Sequence, residues 1–224
     1  MCFSATASFT AGAVLVPAGL YCLKEARHAE KPYWLLAVMP LLFGIQQLFE
    51  GQLWLAVAAE DVLAQKHYAL GFMFFSHFFW LFWIPLLCYF LDDVEWRKRV
   101  FLALAVVGAM FGASMYWPVL INDSWLNVVM VKHAITYDAR LIYDDVMPEI
   151  IPRVVYAIIV IMPLLMSSEK ILRVFGWIIT STVIATAWLF SHAYVSNWCF
   201  FAAIASFYVC YVFLPKRYQA MINP

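Results

Sequence analysis

The sequence has few charged residues and no excess charge of either sign. Charged side chains make up 12% of its 224 residues, hydrophobic side chains make up 66%, and the formal net charge is zero. Soluble domains have about 25% charged and 45–50% apolar residues, and a soluble chain of this length has too little interior to bury so much apolar surface. The composition therefore predicts an integral membrane protein, and no basic patch indicates binding to nucleic acid.

Common redox and catalytic motifs are also missing. The sequence contains no C-x-x-C spacing and no G-x-S-x-G, H-E-x-x-H or P-loop motif. Most of the five cysteines lie in apolar segments, where small buried residues are expected. These absences count against a disulfide framework and against three common classes of enzyme.

Seven apolar runs approach or exceed the roughly 20 residues that a membrane-spanning helix needs. They predict an all-α integral membrane bundle of seven transmembrane helices, forming one domain over residues 1–224. The predicted spans are 5–23, 33–58, 69–91, 100–121, 149–166, 172–191 and 196–214.

The loops between these spans differ in their content of lysine and arginine. If the N-terminus lies outside, ten basic residues fall on the inner side and four on the outer side. Because cytoplasmic loops carry the excess of lysine and arginine, the bias predicts an outer N-terminus and an inner C-terminus. The inner set is Lys24, Arg27, Lys31, Arg97, Lys98, Arg99, Lys170, Arg173, Lys216 and Arg217, and the outer set is Lys66, Lys132, Arg140 and Arg153.

One long connection, residues 122–148, falls on the outer side of the predicted bundle. Its segment NVVMVKHAITYDARLIY is rich in β-branched and aromatic residues and alternates in part, which is typical of a short β-hairpin. A connection of this length is unusual unless it has a function. The sequence therefore predicts an extracytoplasmic β-hairpin or structured cap that forms a lid.

The second predicted span carries polar residues in the stretch FGIQQLFEGQLWL. Gln46 and Glu50 share one helix face, and Gln47 lies beside them. A charged carboxylate in hydrocarbon costs several kcal/mol, so Glu50 should face the bundle interior and find a partner there. Glu50 is then either part of a site, as a metal ligand or a general base, or the centre of a hydrogen-bond network that only holds helices together.

His77, on the third predicted span, adds an imidazole at a similar depth. It lies about nine residues from the outer end of that span, roughly 13 Å along a helix. Glu50, His77 and His192 are the predicted ligands of zinc or another divalent metal, which carboxylate and imidazole groups suit. Glu50 and His77 are also the predicted catalytic residues of a metal-dependent membrane hydrolase acting on a lipid or lipid-linked substrate. The alternative is that His77 is an ordinary buried core residue.

Further polar residues in the outer half complete a predicted outward-opening pocket. Arg153 could pair with Glu50 or Glu149, or extend to the membrane surface. The residues predicted to contact a ligand are Gln46, Gln47, Arg153, Tyr116 and Cys2.

Three other functions remain open at this point, the weakest being a transporter with helices broken at proline. His77 and His192 could be the axial ligands of a haem in an electron-transfer protein. The polar residues could instead be structural in a sensor or in an accessory subunit of a membrane complex. Membrane lipids are the expected partners in each case, and a homo-oligomer is compatible with the sequence.

Three motifs point to a family. They are MCFSATASF at residues 1–9, PAGLYCL at 17–23 and PLLFGIQQLFEG at 40–51. With them the chain resembles an uncharacterised family of bacterial multi-pass membrane proteins, classified as a domain of unknown function. The resemblance implies a bacterial inner membrane and places the N-terminus and the second span in one site, but it supplies no reaction.

Overall fold

The computed structural model describes residues 4–27, 29, 31–131, 134–144, 146–148, 150–189 and 194–214. Within them the chain forms a helical bundle with one β-hairpin and short connections. In chain order the helices and strands are α1 (Ala5–Ala26), α2 (Trp34–Ala37), α3 (Met39–Ala58), α4 (Val62–Met73), a π-helical turn (Phe74–Phe79), α5 (Trp80–Leu91), α6 (Glu95–Ile121), a 3₁₀ turn (Asp123–Trp125), β1 (Leu126–Val131), β2 (Ala134–Ala139), α7 (Ile150–Met166), α8 (Lys170–Leu189), α9 (Tyr194–Ala205) and α10 (Phe207–Val212).

Six helical segments of the described chain are long and apolar enough to cross a membrane. Helix α7 is also apolar but has 17 residues, which makes it shorter than the others. The prediction of an apolar helical bundle is therefore confirmed, whereas seven membrane crossings stay a prediction. The six segments are Ala5–Ala26, Trp34–Ala58, Val62–Leu91, Glu95–Ile121, Lys170–Trp188 and Val195–Val212.

Large apolar side chains cover the outside of the bundle. Met110 of α6 is 69% exposed and Trp188 of α8 is 86% exposed. Extended apolar surface of this kind is costly in water but ordinary against lipid tails. The outer surface is therefore compatible with a membrane protein.

Polar caps determine where α1 and α4 begin. The side chains of Ser4 and Asp61 accept hydrogen bonds from the backbone N–H three residues later, at 3.3 and 3.0 Å. The sequence predicted a start at residue 69, yet α4 already begins at Val62. The first turns of α4 are too polar to extend an apolar run, and the Asp61 cap supplies the start signal instead.

Helix α6 approaches the preceding helix closely through two glycines. A Cβ atom on Gly108 would overlap the carbonyl oxygen of Leu81, and one on Gly112 would come within 2.9 Å of Phe78 Cα. Small residues allow membrane helices to pack backbone against backbone. Gly108 and Gly112 therefore hold α6 against α5 and against the π-helical turn.

The π-helical turn carries two buried polar residues, Ser76 and His77. Turns with this wide hydrogen-bond pattern are rare, interrupt α-helices singly, and occur frequently at functional sites. No helix signal in the sequence predicts the π-helical turn at Phe74–Phe79.

The predicted hairpin is confirmed as two antiparallel strands, in which Val128 lies opposite Tyr137. Leu126 and Ile135 are buried in an apolar cluster with residues of α3, α4 and α6. The ring of Tyr137 stacks on Phe72 of α4, with centroids 4.9 Å apart. These contacts fix the hairpin over one end of the bundle.

At the opposite end of the bundle, an ion-pair network joins three connections. Lys31 Nζ lies 2.7 Å from Asp93 Oδ2 and 2.6 Å from Glu169 Oε1. Although burial alone would lower the pKa of Lys31, the hydrogen bonds to Asp93 and Glu169 outweigh this effect and raise the pKa above its usual range. The network therefore connects the segments that precede α2, α6 and α8.

Asp92 links two of the same connections through backbone contacts. Its carboxylate accepts hydrogen bonds from the N–H of Ser168 at 2.6 Å and of Val94 at 2.9 Å. Burial raises the pKa of this carboxyl, but the two backbone donors favour its charged form and hold the pKa below the ordinary value.

Candidate functional site

A cavity of about 490 Å³ lies below the hairpin, between β2, the π-helical turn, α6, α7 and α9. Its lining combines titratable groups with apolar and aromatic side chains. The titratable residues include His77, Asp138, Asp144 and Arg153, and the apolar and aromatic part includes Met115, Leu141, Tyr156 and Trp198.

The π-helical turn supplies His77 to this cavity. The ring is 7% exposed, and its Nδ1 atom lies 2.9 Å from the Ser76 hydroxyl. Which of the two atoms donates depends on the tautomer of the ring. In either case the contact with Ser76 orients the ring.

Arg153, in the first turn of α7, lines the same cavity as His77. The structure thus brings together two of the residues that the sequence placed in one pocket. Glu149, the other partner considered for Arg153, lies outside the described residues.

Glu50 occupies a second polar cluster, formed where α1, α3 and α9 meet. Its carboxylate is 1% exposed and accepts a hydrogen bond from the Ser196 hydroxyl. Ser8 and Gln47 lie beside the same carboxyl. Within the described residues, the Ser8 hydroxyl and both polar atoms of the Gln47 amide meet no hydrogen-bond partner at ordinary geometry.

Gln46 connects this cluster to the neighbouring helix. Its Oε1 atom accepts a hydrogen bond of 3.0 Å from Trp80 Nε1, and the Trp80 ring stacks on Phe43 at 4.1 Å. Gln46 also lies next to Cys199 of α9. Gln46 therefore links α3 to α5 through Trp80, and Glu50 links α3 to α9 through Ser196.

Glu50 and His77 lie at similar levels but have different neighbours. Phe49 packs against Phe75, two positions before His77, with ring centroids 6.5 Å apart. Among the described residues, however, Glu50 is hydrogen-bonded to Ser196 and His77 contacts Ser76. The two side chains that were expected to meet across one site are not joined by a hydrogen bond or an ion pair.

The described residues give no support to the predicted metal site. None of their His, Cys, Asp and Glu side chains form a group of three that could hold a metal ion. His192 and Cys2 lie outside the described part of the chain. The prediction of a haem with His77 and His192 as ligands consequently stays a prediction.

Tyr116 lies beside the cavity rather than in its described lining. Its ring packs edge-on against Phe74, with centroids 5.9 Å apart, and its neighbour Met115 lines the cavity. Tyr116 belongs to the apolar contacts below the hairpin.

Two residues that the sequence analysis did not select connect the cavity with the Glu50 cluster. Tyr137 and Cys199 line the cavity, and both lie within electrostatic reach of Glu50. Burial, the larger effect, and the nearby Glu50 charge both raise the pKa of Tyr137. Cys199 follows Ser196 by three residues, so their shared helix face was the available sequence signal.

Residues 1–223 match a family described as a family of unknown function, DUF6629. No curated protein and no solved structure matches the chain.

Proposed function

The chain belongs to DUF6629, a family of unknown function, and we propose that it binds a small amphiphilic ligand in the cavity below its hairpin. In this proposal the protein crosses a bacterial inner membrane seven times, with α7 as the seventh span. The ligand enters from the outer side, where the hairpin forms a lid.

The distribution of charge supports this orientation. Lys31, Arg97 and Arg173 lie near the connections at the end of the bundle opposite the hairpin. Lysine and arginine concentrate on the cytoplasmic side of membrane proteins. The hairpin and the cavity then lie at the extracytoplasmic side.

The observation that carries the proposal is the lining of the 490 Å³ cavity. Its volume falls in the range of about 300–1,000 Å³ that is usual for small-molecule sites. Arg153 suits an anionic group, while Asp138 and Asp144 suit a cationic one. A polar head that carries both charges therefore matches the lining.

The remaining wall of the cavity suits the apolar part of such a ligand. Met115, Leu141 and Trp198 contribute side chains without formal charge, and Trp198 packs edge-on against Tyr156 at 5.0 Å. Aromatic and aliphatic walls bind apolar groups, and a few polar groups set the orientation. Lysophosphatidylethanolamine, with a zwitterionic head and one acyl chain, is a suitable probe of this class.

Hydrolysis of the ligand, which the sequence predicts for a lipid substrate, would draw on the residues of this cavity. His77, whose imidazole lines this cavity, would be its general base. Glu50 would not have this role, since it is not among the residues that line the cavity.

A matched pair of substitutions tests the binding site. Met115→Trp fills the cavity, whereas Met110→Trp adds the same ring on the exposed face of the same helix. We expect isothermal titration with lysophosphatidylethanolamine in a neutral maltoside detergent to show binding to the unmodified protein and to Met110→Trp. Met115→Trp should weaken binding at least about tenfold, the loss of one good contact.

A second pair tests the charged part of the lining. Arg153→Gln should weaken the same titration, while Arg97→Gln, near the opposite end, should leave it unchanged. Equal affinity of the unmodified protein, Met115→Trp and Arg153→Gln would refute ligand binding in this cavity.

A further inference from the structure

Glu50 itself is not in the cavity lining, and its cluster contains a buried carboxyl group. Glu50 is 1% exposed at the junction of α1, α3 and α9. Ser196 donates a hydrogen bond to it, and Ser8 and Gln47 lie beside it. Four oxygen-bearing side chains from three helices therefore surround one point in the bundle.

No positive side chain of the described residues balances this carboxylate. The ion pairs formed among them involve Lys31, Lys66 and Lys98 and do not include Glu50. The groups that act on Glu50 are the uncharged side chains of its own cluster. Burial of an unpaired charge is costly, so a buried carboxyl is protonated, paired with a cationic side chain or bound to a cation.

The surrounding side chains also have unused hydrogen-bonding capacity. Gln47 is 0% exposed and lies close enough to act on the Glu50 carboxyl, yet within the described residues neither atom of its amide reaches a partner at ordinary hydrogen-bond geometry. The hydroxyl of Ser8, also 0% exposed, has none either. Native proteins leave few buried polar atoms unpaired, and a bound ion or water usually accounts for them.

We propose that Glu50, Ser8, Gln47 and Ser196 bind one monovalent cation at the junction of α1, α3 and α9. The cation balances the charge of the Glu50 carboxylate. It is also coordinated by the amide oxygen of Gln47 and the hydroxyl oxygen of Ser8. All four donors are oxygen atoms, which suit hard cations. The site goes beyond ligand binding in the cavity and does not depend on it.

The composition of the site favours a single positive charge. One carboxylate neutralises one charge, whereas protein sites for calcium draw on several carboxylates, and magnesium retains waters that need space. A proton on Glu50 would balance the charge, but its single O–H can donate to only one of two oxygens, Gln47 Oε1 or Ser8 Oγ, whereas a cation binds both. A water molecule would pair the oxygens but leave the charge unbalanced.

Radioactive ²²Na⁺ and thermal unfolding test the site in the purified full-length protein. We expect saturable binding of one Na⁺ per chain. At constant ionic strength, the unfolding temperature should rise as NaCl replaces choline chloride. The rise should reach on the order of 5 °C once Na⁺ is about a hundredfold above its Kd.

Substitutions in the Glu50 cluster test whether Na⁺ binding and the rise in unfolding temperature arise there. Glu50→Gln should abolish both ²²Na⁺ binding and the rise in unfolding temperature. Ser8→Ala removes one coordinating oxygen but retains the Glu50 carboxyl, and it should weaken Na⁺ binding at least about tenfold. This variant provides the test if Glu50→Gln does not fold. Ser181→Ala, which removes an exposed hydroxyl of α8, is the matched control and should bind Na⁺ normally.

Three outcomes would overturn the site. The first is an unfolding temperature and ²²Na⁺ uptake that do not respond to NaCl. The second is normal Na⁺ binding by both Glu50→Gln and Ser8→Ala. The third is a rise in unfolding temperature on acidification below pH 8 in choline chloride that Glu50→Gln abolishes, which would assign a proton to Glu50. Met115→Trp should keep the Na⁺ response, which separates failure of this site from failure of the cavity.

Discussion

Ser196 donates a hydrogen bond to Glu50 and so ties α9 to α3 across 146 residues of sequence. Both side chains are buried, at 3% and 1% exposure. A hydrogen bond to a charged group is strong in such a setting, and its loss leaves the carboxylate short of a donor. This contact therefore stabilises the junction of three helices.

Replacing Ser196 with alanine should destabilise the protein by about 1.5–3 kcal/mol, the usual contribution of a hydrogen bond to a charged group. For a chain of this size that corresponds to a fall in unfolding temperature of roughly 3–12 °C. Thermal unfolding in detergent, followed by thiol-reactive dye fluorescence, measures the change. The control Ser181→Ala should change the unfolding temperature by less than 2 °C. An equal fall in both variants would contradict a stabilising role for the Ser196–Glu50 hydrogen bond.

Gly108 is expected to tolerate no larger side chain. Valine there would overlap the backbone of Leu81 and force α6 away from α5, which costs about 1–3 kcal/mol or more in a packed interior. Gly108→Val should lower the yield of monodisperse protein in fluorescence-detected size exclusion. Ala103→Val, on an exposed face of α6, is the control. A normal elution profile for Gly108→Val would show that α5 and α6 can separate without loss of folded protein.

Asp92 should make stability depend on acid pH. Its pKa is lower in the folded protein than in the unfolded chain, so its contribution is present above about pH 4 and is lost as the pH falls through the folded value. Unfolding temperatures measured from pH 7 down to pH 3 should therefore fall. The unfolding temperature of Asp92→Asn should be lower at pH 7 and should fall less toward pH 3. Parallel curves for the two proteins would exclude Asp92 as the source.

The stability that Lys31 contributes should depend on pH in the opposite sense to that of Asp92. Its pKa is higher in the folded protein, so its contribution is complete below about pH 10 and is lost as the pH rises through the folded value. Lys31→Met should lower the unfolding temperature at pH 8 and reduce its further fall toward alkaline pH. Lys98→Met, which removes an exposed pair with Glu95, should have little effect because such pairs contribute about 0–1 kcal/mol. Similar losses in both variants would contradict a special role for Lys31.

The proposed orientation predicts which end of the bundle an impermeant maleimide reaches in intact cells. Ser124 lies exposed beside the hairpin, and Asp93 lies exposed at the other end. Ser124→Cys should be labelled from outside, whereas Asp93→Cys should be labelled only after the membrane is opened. The reverse pattern would place the hairpin in the cytoplasm.

The helices and the hairpin could be predicted because their signals are local. The apolar runs that contain Glu50 and His77 determined two helices, and the β-branched segment around Tyr137 determined a strand. The start of α4 could not be predicted from an apolar run, since it depends on the cap at Asp61. The fold at this level follows from length, hydropathy and turn chemistry.

The arrangement of the candidate site was predicted only in part. The sequence placed His77 and Arg153 in one pocket, and both line the cavity. It also paired Glu50 with His77 because their depths match, but depth does not specify the direction of a side chain around its helix. Ser196 and Cys199 were not selected, because their proximity to Glu50 depends on how α9 packs against α3.

The wide turn at Phe74–Phe79 also affects how this helix can change in evolution. Each of its hydrogen bonds encloses one more residue than an α-helical bond, so loss of one residue here can be absorbed by conversion to an ordinary turn. The same deletion within α4 or α5 would rotate one half of the helix by about 100° relative to the other. Relatives one residue shorter are therefore expected to carry the gap at this turn, and their histidine would no longer face the cavity.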